Sequence, residues 1–305
     1  VIIDCHTHVW ESPDQLGRAA GFAVKRLRRT HGNSSNGDPE VTPANHLAAC
    51  QPVDRTFVLG FKSLYLGADI SNRFVADYVG AHPDKMIGFG GIDPTNPGHA
   101  IDEIKKISEE LGFPGVTIAP SAQDCHPFHS NAIRVYGELA KRNLTLLVHH
   151  GIGMSPESKM EYARPYLLDE LAREFPDLRI IVAHLGYPWV DEALLLLAKH
   201  RNVFADISGL LTLSWKAYNA MLSAHEFGVM DKLLFGSDFP YTSATDSIER
   251  LYGLNQLVLG TNLPPIPREQ LRSIVERDTL GLLGMAPLAR AKSDPHPSLL
   301  SDEDQ

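Results

Sequence analysis

The chain opens VIIDCHTHVW (1–10), an apolar start that ends in two histidines two residues apart. Side chains alternate across a strand, so residues two apart face the same way. On that pattern Asp4, His6 and His8 share one face, and the two histidines can grip one ion from a single strand end.

Seven further stretches repeat the design. RTFVLGF (55–61), KMIGFGGID (85–93), GVTIAP (115–120), LTLLVHH (144–150), RIIVAHL (179–185), NVFADIS (202–208) and KLLFGSD (232–238) are nearly all apolar before their last few residues. Strands buried on both faces read this way, as in parallel sheets. Between them lie stretches with apolar residues at threes and fours: 70–83, 99–112, 131–143, 164–176, 190–200, 215–228, 247–260 and 267–284. That spacing predicts amphipathic helices. TPANHLAACQ (42–51) reads as a short helix with Thr42 as N-cap and Pro43 at its first position.

Eight strand–helix alternations predict an α/β fold, a (β/α)8 TIM barrel. A doubly wound open sheet is the alternative, but its G-x-G-x-x-G fingerprint after the first strand is absent. A single barrel domain is expected over 1–286, with 287–305 a polar tail. The stretch 9–41 is read as a long first connection, of the kind that forms lids or binding loops.

Composition narrows the function. The 305 residues carry a net charge of −9, and the one short basic run is KRLRR (25–29). No nucleic-acid partner is expected on that balance, and KRLRR is read as a solvated loop face. The longest strongly apolar run, ALLLLA (193–198), is far short of a membrane span. Three scattered cysteines, Cys5, Cys50 and Cys125, predict a reduced, cytoplasmic setting, and no secretory leader is read.

The polar strand ends carry the chemistry. His149 follows one apolar run, His184 another, and Asp238 closes the last. In a barrel these ends meet at the C-terminal face, where active sites sit. Imidazole with carboxylate suits Zn, Mn, Fe or Ni. A lone buried Asp238 would be costly, and a divalent cation would offset its charge. His150 points to the opposite strand face from His149 and is read as packed against helices. CHPFH (125–129) is read as an irregular loop, with Cys125, His126 and His129 as weaker candidates for a second metal or substrate site. Tyr187, Pro188 and Trp189, like Phe239, Pro240 and Tyr241, are placed to wall a pocket. Arg18, Arg26, Arg28 and Arg29 are candidates to clamp a substrate carboxylate. His31, His46, His82, His99, His200, His225 and His296 are read as surface or helix-capping residues, and Asp206 as a supporting residue.

Taken together, DCHTH, VDRTFVLG, GFGGIDPTNP, GFPGVTIAP, LLVHHG, FPDLRIIVAHLGYP, NVFADISG and DKLLFGSDFPY resemble the amidohydrolase superfamily. The similarity runs from residue 2 to about 284. It is strongest to the amidohydrolase-related branch that includes aminocarboxymuconate semialdehyde decarboxylase and its hydrolase and hydratase relatives. The resemblance implies that His6, His8, His149 and Asp238 are metal ligands. It implies that His184 polarises water, with Asp238 as a ligand or proton shuttle. Two-metal relatives use a carboxylated lysine on the fourth strand, where this chain has Thr117, so one divalent ion is expected, Zn first, with Mn or Fe as alternatives. The expected activity is metal-dependent hydrolysis, with metal-activated water attacking an ester, lactone or amide carbonyl of a small organic substrate. Intact H-x-H favours hydrolysis over the alternative, non-oxidative decarboxylation of an aromatic or unsaturated acid. A metal-binding scaffold without catalysis is the third reading. Relatives also imply a homodimer.

Overall fold

A computed structural model of the protein describes residues 1–31, 41–150 and 155–285. Its ten strands are β1 (Ile3–Thr7), β2 (Arg55–Leu59), β3 (Phe61–Ser63), β4 (Ala68–Ile70), β5 (Met86–Gly91), β6 (Gly115–Ile118), β7 (Thr145–Val148), β8 (Ile180–Val182), β9 (Val203–Asp206) and β10 (Leu233–Leu234). Eight form one parallel sheet in the order β1-β2-β5-β6-β7-β8-β9-β10. Backbone bonds from Cys5 N to the Phe235 carbonyl and from Asp238 N to the His6 carbonyl, both 2.9 Å, close it into a barrel. All eight expected strands are present; β7 ends at Val148, directly before His149, and β8 at Val182, two residues before His184.

Eleven helices surround the sheet: α1 (Ala20–His31), α2 (Pro43–Ala49), α3 (Asn72–Gly80), α4 (Pro97–Glu109), α5 (Ser130–Lys141), α6 (Asp169–Glu174), α7 (Val190–Lys199), α8 (Ser214–Glu226), α9 (Ala244–Tyr252), α10 (Arg268–Glu276) and α11 (Thr279–Leu282). The count is of the described residues. Strand alternation divides the core in two. Phe57, Leu59, Phe89, Leu147, Ile181 and Phe204 fill the barrel interior. Val58, Val116, Val148, Ile180 and Val182 face the helices. Each such side chain, fully buried, contributes roughly 1.5–3 kcal/mol of transfer free energy.

Three features depart from the sequence expectations. First, the connection 9–41 is not structureless. Ser12 and Gln15 form a capping box over a 3-10 segment, Pro13–Ala19, that leads into α1. Among the described side chains of α1 only Ala23 and Leu27, four residues apart, are buried, so its apolar stripe is too thin to stand out among the charges of KRLRR. Its approach is fixed by docking. Gly17 has φ +54°, and a Cβ there would lie 2.3 Å from the Leu66 carbonyl oxygen. Second, β3 and β4 form a small antiparallel hairpin beside the barrel mouth. Third, 267–284 breaks at Arg277–Asp278 into α10 and α11, and the Asp278 side chain caps the second. The tail 287–305 lies outside the described residues, as do the side chains of His31 and His296.

Candidate metal centre

The first strand delivers its histidines through an irregularity. Ile3 pairs with Arg55 and Asp4 with Thr56, but Thr7 pairs with Val58. Three steps on β1 thus match two on β2, which is a bulge. Ile3 and Cys5 belong to the interior cluster, and strict alternation would send His6 outward. The extra residue turns it in. The expectation that Asp4, His6 and His8 share one face is therefore corrected. The Asp4 carboxylate instead accepts from His6 N at 3.1 Å and Ser237 N at 2.9 Å, and so stitches β1 to the segment after β10.

Five residues expected at the site meet there. His6 Nε2 lies 3.1 Å from His8 Nε2, which lies 3.4 Å from His149 Nε2. His184 stacks obliquely on His6 with ring centroids 4.6 Å apart. Asp238 Oδ1 is 3.9 Å from His6 Nε2. Two overlapping donor groups result, His6–His8–His149 and His6–His184–Asp238, each with its ligand atoms within 4.8 Å of one another.

The backbone is bent to achieve this. His184 has φ 56° and Asp238 φ 70°, both left-handed. Each such non-glycine residue costs on the order of 1–3 kcal/mol and persists where its surroundings hold it. Here His184 N donates to Asp206 Oδ1 at 3.1 Å, and Asp238 N donates to the His6 carbonyl. Gly209, at φ +67°, leaves room beside the carboxylate, since a Cβ would sit 2.6 Å from Asp238 Oδ2.

Asp206 is more central than the sequence suggested. Its Oδ2 is 3.0 Å from His6 Nδ1. Its Oδ1 also accepts from Ser208 N at 3.0 Å and from the Ser208 hydroxyl. With Nδ1–H donated to Asp206, the Nε2 lone pair of His6 faces the centre. Ser208 performs the same service for His184, whose Nδ1 is 3.0 Å from the Ser208 carbonyl and 2.8 Å from its hydroxyl. No pattern in the chain marks Ser208 beforehand.

Burial, then neighbouring histidines, hold His6 and His8 well below the ordinary imidazole range. His149 is pushed down to about 4, chiefly by burial, and burial lowers His184 as well. The imidazoles are therefore neutral at pH 7, as ligands must be. Converging lone pairs beside a buried carboxylate form a donor set that fits a divalent cation of the Zn, Mn or Fe type. Thr117 does not enter it, because its hydroxyl donates to the Gly60 carbonyl at 2.5 Å.

Above the donors is a cavity of about 160 Å³. His8, His149, His184 and Asp238 border it below, Phe22 and Arg26 of α1 enter from above, and Phe61, Leu66 and Ile70 come from the hairpin. Arg26 Nη2 lies 2.6 Å from Asp238 Oδ2, and its guanidinium sits 3.6 Å from the Tyr241 ring centroid. Burial pulls the Arg26 pKa down, but Asp238 and Tyr241 more than offset this. KRLRR is thus a helical segment with one arginine turned inward, not a solvated loop. Arg18 is spent on the Tyr65 carbonyl and ring. His150 is buried, borders the cavity, sits beside the Ala163 backbone, and is lowered to about 3 by burial.

Other candidates fall elsewhere. His129 caps α5 by accepting from Asn131 N, and His126 accepts from Phe128 N, so CHPFH is a structured loop away from the donors. Tyr241 lines the cavity, whereas Tyr187 and Trp189 are not among its lining residues. His200 sits at the C-cap of α7 and bonds Asp169 at 2.7 Å. His46 is fully buried, which corrects its expected surface or capping place.

A family model described as amidohydrolase matches residues 3–277. Solved structures share the fold. An uncharacterised TIM-barrel protein from Bordetella bronchiseptica is 22% identical with a TM-score of 0.68, covering 93% of this chain and 99% of that one. A probable 2-pyrone-4,6-dicarboxylic acid hydrolase from Acinetobacter baumannii, with citric acid bound, is 17% identical with a TM-score of 0.62 over 93% and 99%. A dihydroxybenzoic acid decarboxylase from Polaromonas sp. JS666, with bound manganese and the inhibitor 2-nitroresorcinol, is 14% identical with a TM-score of 0.64 over 93% and 96%.

Proposed function

Because the chain belongs to the amidohydrolase family, we propose that it is a metal-dependent hydrolase acting on an ester, lactone or amide carbonyl of a small cyclic or carboxylated substrate. The observation that carries this is the convergence of His6, His8, His149, His184 and Asp238, all but His6 bordering the floor of one cavity. His6, His8, His149 and Asp238 hold one divalent ion in this reading. Manganese in the Polaromonas structure supports a divalent ion, and the donor set also suits zinc. Such an ion supplies Lewis acidity and lowers the pKa of water to about 7.

The chain's own residues do the rest. Ser208 keeps the His184 proton on Nδ1, so Nε2 is free to accept a proton at the cavity floor. Arg26 presents the only Lys or Arg side chain among the described residues lining the cavity, and it attracts a substrate anion. The volume, about 160 Å³, compares with an engineered cavity of roughly 150 Å³ that takes benzene, so a single-ring substrate is the size that fits.

A second reading is non-oxidative decarboxylation of an aromatic or unsaturated acid. The apolar wall formed by Trp10, Leu16, Phe22 and Phe61 favours it. One experiment separates the readings. Metal content is measured by plasma mass spectrometry for wild type, His149→Ala and Asp238→Ala, and the metal-loaded protein is then offered lactones, amides and aromatic carboxylates. About one metal per chain in wild type, lost in the variants, with acid release from a lactone or amide, supports the hydrolase. Carbon dioxide release from a carboxylate supports the second reading. A wild type that binds no metal after reconstitution rejects both.

A further inference from the structure

We propose that His46, on α2 behind the first strand, is a positioning residue that fixes the spacing between the His6–His8 pair and Asp238. The inference rests on the metal-centre reading above.

His46 is not among the residues that line the cavity, yet it meets two chain segments that carry donors, β1 and the turn that holds Asp238. Its Nε2 lies 2.8 Å from Thr7 Oγ1, and Thr7 is the residue between the two histidines. Thr7 Oγ1 in turn lies 2.5 Å from the Phe57 carbonyl on β2. The imidazole ring packs against Phe239, next in the chain to Asp238, with centroids 5.0 Å apart. Phe239 is itself tied to the strand, since its carbonyl accepts from His8 N at 2.8 Å.

The Phe57 carbonyl can only accept, so the single Thr7 proton goes to it and Thr7 Oγ1 is left to accept from His46 Nε2. Tyr78 has one proton for two neighbours, His46 Nδ1 at 2.8 Å and the Pro43 carbonyl at 2.9 Å, and Cys50 Sγ lies 3.3 Å from Nε2. A neutral ring that donates to Thr7 requires the Tyr78 proton on Nδ1, and the His46→Gln variant below tests that tautomer. His46 is fully buried, so each of these bonds is shielded from water.

The location matters because β1 is irregular there. The bulge lies between Asp4 and Thr7, and an extra residue leaves the local ladder disrupted. The Thr7–Phe57 and His46–Thr7 bonds pin the strand immediately after the bulge. Without them, the rotation that aims His6 and His8 inward has one fewer restraint, and the aromatic contact alone remains between α2 and the Asp238 turn.

The test uses the full chain carrying His46→Phe, His46→Gln or Thr7→Val. Phe keeps ring bulk against Phe239 and loses the donor, Gln keeps a donor, and Val keeps shape while removing the recipient. Apparent affinity for Mn²⁺ and Zn²⁺ is read by competition with a chromophoric chelator, and metal-free thermal melting reports folding. His46→Phe and Thr7→Val are each expected to weaken binding about tenfold, as partners beyond the ligands do. Their double variant should be no worse than either single, because both cut one path. His46→Gln should recover most of the affinity. Wild-type affinity in well-folded His46→Phe and Thr7→Val overturns the proposal. So does an equal loss in all three variants that merely follows a lower melting temperature. A wild type that binds no metal overturns the metal-centre reading, and this inference with it.

Discussion

Asp206 Oδ2 and His6 Nδ1 stand 3.0 Å apart with both side chains fully buried. A carboxylate in that place fixes the ring's tautomer and raises its basicity as a ligand. Asp206→Asn keeps the volume but removes the charge. It should weaken metal affinity roughly 10- to 100-fold, measured by chelator competition. Unchanged affinity would mean that the pair is only packing.

Arg26 is the present partner of Asp238. Removing one member of a buried pair leaves an uncompensated charge, at a cost of about 3–5 kcal/mol. Arg26 is 14% exposed and Asp238 1%, so the lower end of that range applies. Metal-free Arg26→Met should melt well below wild type, and saturating Mn²⁺ should narrow the gap, because the ion takes over the carboxylate. A gap that stays constant with metal would separate Arg26 from the centre.

The acid response follows from the buried histidines. His6, His8, His46, His149, His150 and His184 all have pKa values lowered by burial. Folded values below the unfolded value of about 6.5 mean that the unfolded chain binds protons the folded chain refuses. Their stabilisation is present above pH 6.5 and is lost as pH falls, at up to about 1.4 kcal/mol per pH unit per group. Asp4 acts with the opposite sign. Burial raises it to about 6, so its contribution improves as pH falls through that value. Six groups outweigh one. Urea unfolding of the metal-free protein should show markedly lower stability at pH 5.5 than at 7.5. Equal midpoints would show that the rings are accessible to protons in the folded state.

Gly209 leaves Asp238 the space that a side chain would fill. Alanine there meets Oδ2 at 2.6 Å and must hold φ +67°. Gly209→Ala should cost about 1–2 kcal/mol from backbone strain alone, and it should displace Asp238 enough to reduce bound metal. Full metal content with wild-type melting would show that the carboxylate has slack.

The strands were legible because burial on both faces leaves an unbroken apolar run. The donors were legible because each polar residue stands where such a run stops, as His149 and Asp238 do. The β1 bulge was not, since one extra residue changes no composition, and so Asp4 was given the wrong face. His46 was misplaced because it sits on a short helix whose burial comes from packing behind β1. The helix α1 was missed because its stability comes from docking at Gly17 and from Arg26, not from a periodic apolar stripe. Asp206 and Ser208 gain their roles only when β8 and β9 lie side by side.

The roof over the cavity comes from two early pieces of chain, α1 with its 3-10 lead and the β3–β4 hairpin, docked on each other through Gly17 and Leu66. None of the five donors belongs to either piece. The molecule is thereby modular. Substitutions in α1 or the hairpin can reshape the cavity without touching a donor, and substitutions among the donors leave the docking of the roof through Gly17 and Leu66 in place.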